Sequence, residues 1–147
     1  MSLRGRREVK AAMEVPVIIF DYFGVLAHQY GRPDQEVMDF VRQHLAGRYR
    51  LAVLSNMNDG AAEEMLGKSA EIFDSVVISG ELGVAKPDPR AFLLTAQRLG
   101  EFPSRCLMID DSELNCIGAK DAGMAAIYFT GVADLERKLK EYGILTP

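Results

Sequence analysis

The sequence predicts an α/β fold, a central and mostly parallel five-stranded sheet with helices on both faces, three layers in all. Two observations carry this expectation. Short apolar runs alternate with longer amphipathic stretches along the chain, the pattern of strands joined by crossover helices. The runs are also continuously apolar rather than alternating, as in strands covered on both sides. The length of 147 residues fits one domain with a real core.

The elements follow in order. Strand-length runs fall at 15–20, 51–54, 76–78, 106–109 and 125–129. Val37, Phe40, Val41, His44 and Leu45 stand at i, i+3, i+4, i+7 and i+8, one stripe of a helix. A second helix spans 91–99, with Asp88 as N-cap, Pro89 at its first position and Gly100 just past its end. A third runs from near Ser112 to Gly123, and a fourth is bracketed by Asp134 and Gly143. A shorter, weaker helix is expected over 61–67.

Composition excludes several classes of function. Hydrophobic residues make up 48% of the chain and charged residues 26%, which is ordinary globular composition and rules out a disordered or fibrous chain. The net charge of −4 does not suit a nucleic-acid partner. No apolar run approaches the ~18 residues of a membrane span, so no membrane association is expected. Two cysteines, Cys106 and Cys116, are too few for a disulfide scaffold and point to a reducing, cytoplasmic setting. Residues 1–12 hold Arg4, Arg6, Arg7 and Lys10 against Glu8 alone. With no apolar segment following, they read as a basic, flexible tail rather than a secretory signal. Residues 13–147 read as one core domain.

In parallel sheets of this kind, ligands bind beyond the carboxyl ends of the strands, so the residues after each run matter. Asp21 follows the first, Ser55 and Asn56 the second, Asp110 and Asp111 the fourth, while Lys86 lies in a Gly/Pro-rich loop after the third. Each has a plain structural reading beside a functional one. Asp21 could cap a turn, or present a rigid carboxylate beside Gly24, whose backbone can bend closely around a ligand. Ser55 and Asn56 could form a turn or bind an oxyanion. A lone lysine such as Lys86 is usually solvated. Asp110 and Asp111 are harder to explain structurally, because adjacent acids after a buried strand repel each other unless a cation or donors hold them.

Taken together in this order, these segments resemble the haloacid dehalogenase-like hydrolase superfamily from about residue 15 to 129. The most specific stretch runs from Lys86-Pro87-Asp88-Pro89 to Asp110-Asp111-Ser112, Asn115, Gly118-Ala119 and Ala122-Gly123-Met124. The resemblance implies a Rossmann-like three-layer sandwich with the first strand central. It further implies that Asp21 is a nucleophile forming an aspartyl-phosphate intermediate and that Ser55, with Asn56 alongside, binds the phosphoryl group. Lys86 would balance charge on both nucleophile and phosphate. Mg2+ would be held by Asp21, Asp111 and the Phe23 carbonyl, with Asp110 beside them as a ligand or behind the ligands. The implied activity is a magnesium-dependent phosphatase acting on a phosphorylated substrate, either a small molecule or something larger.

The chain departs from the family pattern at two places. Phe23 occupies the position where the family's phosphatases usually carry a second Asp as general acid and base, a function worth about 10²–10⁴-fold. His28 is close in sequence but reads as an ordinary loop residue. An aromatic residue at this position also matches the family's metal-independent haloacid dehalogenases, although these lack acids corresponding to Asp110 and Asp111. A weakened, regulatory relative is a third reading. In addition, only 34 positions separate Asp21 from Ser55 and 31 separate Ser55 from Lys86, too few for a cap domain. The open site that results would admit a large substrate or be covered by a second copy in a homodimer.

Overall fold

The computed structural model describes residues 17–28, 31–57, 64 and 66–147. Among them five strands form one sheet: β1 (Val17–Phe20), β2 (Arg50–Ser55), β3 (Ser75–Ile78), β4 (Cys106–Asp110) and β5 (Ala125–Tyr128). Their order is β3-β2-β1-β4-β5, with every neighbouring pair parallel. The helices are α1 (Gln35–His44), the four-residue α2 (Ser79–Leu82), α3 (Pro89–Leu99), α4 (Glu113–Asp121) and α5 (Val132–Glu141).

The alternation of side chains along each strand divides the core in two. Ile18, Phe20, Leu51, Val53, Leu107 and Ile109 pack with Val37 and Val41 of α1 and with Leu135 and Leu139 of α5. Val17, Ile19, Ala52, Leu54, Cys106 and Met108 pack instead with Phe92 and Ala96 of α3 and with Cys116 and Ala119 of α4. Helices therefore cover both faces, the three layers expected from the continuous apolar runs.

The element boundaries differ from the sequence reading in ways that matter for the site. β2 includes Ser55 and β4 includes Asp110, because each is paired with the neighbouring strand, Ser55 opposite Ile78 and Asp110 opposite Tyr128. These two polar residues are thus strand positions rather than loop positions. α5 starts two residues before Asp134, after Gly131 at φ 134°. Asp134 is inside the helix, where it accepts from Arg137 and pairs with Lys138. α2 carries no apolar stripe to announce it. The helix expected over 61–67 falls largely outside the described residues, as do the basic tail and positions 15 and 16. Among the described residues no helix is long and apolar enough to cross a membrane.

Candidate active site

β1 is central, and its carboxyl end delivers Asp21, whose backbone N–H donates to the Ile109 carbonyl at 2.9 Å. Phe20 stands opposite both Val53 and Ile109, so Asp21 and Asp110 leave adjacent strands at the same level. Ser55 lies two residues beyond Val53 on the other neighbour and is buried. The parallel register therefore brings three of the segments singled out in the sequence to one rim.

Lys86 joins them from the loop between α2 and α3. Its ammonium is buried and donates to Asp21 Oδ1 at 2.7 Å, to Asp110 Oδ2 at 2.8 Å and to the Leu54 carbonyl at 2.9 Å. A lysine ammonium has three protons, and all three are committed to protein acceptors. The loop itself is fastened by Asn56, whose side chain accepts from the Lys86 N–H at 3.0 Å and donates to the Lys86 carbonyl at 2.9 Å. With both ends of its amide engaged in this way, Asn56 fastens the loop that carries the lysine.

Asp110 is fully buried, and its carboxylate is surrounded by donors. Besides Lys86, Oδ1 accepts from the Ser112 N–H at 3.0 Å, and Asn115 Nδ2 lies 3.2 Å from each oxygen. Asp111, the next residue, is exposed. Its carboxylate occupies the space that a Cβ on Gly24 would fill, and Gly24 also has φ +92°. The backbone conformation favours glycine there, and a side chain would also displace the Asp111 carboxylate from its place.

Burial pushes Asp21 up from 3.8 to about 7; Lys86 opposes this rise and Asp110 adds to it. Two carboxyl groups beside a single ammonium leave the end of β1 short of positive charge. Asp21, Asp110 and Asp111 each offer an oxygen, all within 4.8 Å of one another. Three hard carboxylates this close together form a donor set that fits a divalent, oxygen-seeking cation, and the raised Asp21 is what such a cation would relieve.

Phe23 is half-buried, with its ring edge-on to Tyr22 at a centroid distance of 5.0 Å, so it brings no proton-transfer group to the rim. His28 lies 3.7 Å from Asp34, a carboxylate at the start of α1 rather than at the site. Three supports were not apparent from the sequence. The Tyr22 hydroxyl donates to the Gly31 carbonyl at 2.6 Å and ties down the loop after Asp21. Asn115 holds Asp110. Gly118 lets α4 lie against the Pro87 carbonyl, where any Cβ would clash. Asn115 and Gly118 stand in the most specific motif stretch of the sequence, which does not assign them these contacts, and Tyr22 left no trace.

The arrangement defines an α/β protein with a buried acid–lysine pair and a three-carboxylate cluster that could hold a cation on the carboxyl rim of its sheet. The chain belongs to the haloacid dehalogenase-like hydrolase family, whose profile matches residues 7–123. Among curated relatives it is 35% identical over 83 residues to the fructose-1-phosphate phosphatase YqaB of Escherichia coli, covering 55% of this chain and 44% of that protein. It is 43% identical over 129 residues to the phosphatase MT3486 of Mycobacterium tuberculosis, covering 85% and 57% respectively. The chain thus spans less than two thirds of the length of these relatives. Among solved structures, an uncharacterized protein from Corynebacterium glutamicum superposes with a TM-score of 0.77 at 28% identity, over 90% of this chain and 98% of that one. A magnesium complex of a family enzyme from Bacteroides thetaiotaomicron gives 0.61 at 25% identity, over 72% and 59%.

Proposed function

We propose that this chain is a magnesium-dependent phosphatase in which Asp21 is the nucleophile. The observation that carries the reading is the Asp21–Lys86 contact of 2.7 Å beside a three-acid cluster at the end of the central strand. Relatives named as phosphatases, and a neighbour crystallised with magnesium, support it. Asp21 Oδ attacks the phosphorus of a phosphate ester and forms an acyl-phosphate bond as the ester P–O bond breaks. The leaving oxygen departs with the electron pair and takes its proton from water, since Phe23 offers none. Water then attacks the phosphorus, releasing phosphate and regenerating the carboxylate. Lys86 orients Asp21 and favours its ionised form before attack, and Ser55 with the Asn56 N–H receives the phosphoryl oxygens. Asp21, Asp111 and the Phe23 carbonyl would hold the magnesium, with Asp110 immediately behind them. When bound, the ion supplies positive charge to the phosphoryl oxygens.

The same reading makes the chain from β1 onward one core domain without a cap. Between Asp21 and Ser55 the described residues hold a turn-rich loop, α1 and β2, and 98% of the Corynebacterium chain is matched. The open rim then accepts a large phosphorylated substrate or is covered by a second copy of the chain. Two buried, free thiols suit a reducing cytoplasm.

A substrate panel of aryl and alkyl phosphates, run with and without magnesium, tests the reading. Phosphate release that needs magnesium and vanishes in Asp21→Asn is the expected result. Calorimetry should show magnesium affinity lost in Asp111→Ala, and equal affinity in both proteins would remove Asp111 from the ligand set. Phe23 favours a second reading as a metal-independent dehalogenase, and halide release from 2-haloacids without magnesium would establish it in place of the first.

A further inference from the structure

The geometry points to Asn115 as a positioning residue for Lys86, acting through the carboxylate of Asp110. The chain of contacts is short and complete. Asn115 sits in the first turn of α4, where its own N–H donates to the Ser112 hydroxyl at 3.2 Å, which fixes its backbone. Its side-chain nitrogen faces Asp110 and lies 3.2 Å from both oxygens. A carboxylate can only accept, so it must be the amide nitrogen that faces it. The Ser112 N–H takes Oδ1 from a second direction. Together these donors fix the carboxylate plane and leave Oδ2 directed at the Lys86 ammonium, 2.8 Å away.

Lys86 depends on that aim. Its three protons are shared among Asp21, Asp110 and Leu54, so turning Asp110 would free one proton and pull the ammonium away from Asp21. A buried carboxylate with too few donors also costs more than the bond it loses. An amide suits position 115 better than an acid would, because a carboxylate there would face that of Asp110 at hydrogen-bond distance and repel it. The consequence for turnover rests on the phosphatase reading above. The consequence for Lys86 itself does not.

The test follows both. In wild type, the Lys86 ammonium should exchange its protons slowly and give a resolved 1H–15N signal, because every proton is bonded and buried. Asn115→Ala should broaden or abolish that signal while leaving the backbone spectrum of β1, β2 and β4 in place. Alanine favours a helix, so the variant should fold. Asn115→Asp keeps the side-chain size but exchanges donor for acceptor, and it should disturb the signal more strongly. With aryl phosphate as substrate, Asn115→Ala should lower kcat about tenfold, the size of one lost hydrogen bond to a charged group, with KM within about twofold. A Lys86 signal unchanged in both variants would overturn the proposal, whether or not the protein hydrolyses phosphate esters. An altered signal without phosphatase activity would uphold the positioning role and sink the functional reading instead.

Discussion

Asp21 is pulled in two directions. Burial raises it to about 7 and Lys86 opposes the rise, so near neutral pH the metal-free carboxyl is divided between its protonated and ionised forms. A folded-state value above the unfolded 3.8 means that the group stabilises the fold fully below that value. The contribution is lost as pH rises through about 7. In metal-free protein, stability measured by urea unfolding should therefore decline between about pH 4 and pH 7, and Asp21→Asn should flatten the decline. An unchanged slope in the variant would show that another group titrates there. At Phe23 the expectation concerns leaving groups. Aryl phosphates, whose leaving groups need little protonation, should be hydrolysed much faster than alkyl phosphates. Phe23→Asp should raise the alkyl rate by up to about 10²-fold, the lower end of a general acid's usual contribution. Equal wild-type rates on both substrates, with no response to the substitution, would mean that a different group supplies the proton. Asp21, Ser55, Lys86, Asp110 and Asp111 were all legible in the sequence because four of them follow apolar runs and the fifth precedes a helix cap. Asn115 and Tyr22 were not, since what each does depends on which way a side chain turns in the folded molecule.

At the scale of elements, local signals explain most of what could be read. α3 begins after Asp88, which accepts from the Arg90 N–H, has Pro89 in its first turn and ends at Gly100 with φ 70°, all as its capping residues predict. α1 was recognised from its stripe alone, but its start is set by Asp34, whose side chain accepts from the Glu36 and Val37 N–H groups at 3.0 and 3.3 Å. Asp34→Ala should cost about 1 kcal/mol of stability, read as a lower urea midpoint with an unchanged slope. A loss below about 0.3 kcal/mol would mean that water satisfies those donors equally well. α5 was placed two residues late because Asp134 looks like a cap in sequence yet spends its carboxylate on Arg137, Lys138 and Thr130. Short α2 had no period to detect.

For the whole molecule, the two-sided core is the feature the sequence states most clearly. Continuous apolar strands require cover on both faces, and the helices divide accordingly between them. Cys106 of β4 and Cys116 of α4 lie in the core layer between the sheet and α3 and α4. Burial raises both thiols to about 11, with Glu101 adding to the first and Asp110 to the second. At neutral pH both should resist iodoacetamide in the native protein and react together once urea exceeds the unfolding midpoint. Rapid labelling of either one in native buffer would show that this layer opens locally.

The position of β1 has a further consequence, in time rather than space. It is the first strand among the described residues and the innermost in the sheet, with Val17 opposite both Arg50 and Cys106. A strand made early must wait for a partner made late before its second edge is covered. Its four buried residues stay open to wrong pairing throughout that interval, and distant partners of this kind make a chain fold slowly. Asp21, at the tip of that strand, can meet Asp110 only when β4 has docked. The rim that gathers Asp21 and Asp110 is thus among the last parts of the molecule to exist, and its recovery after dilution from denaturant reports the completion of folding rather than its onset.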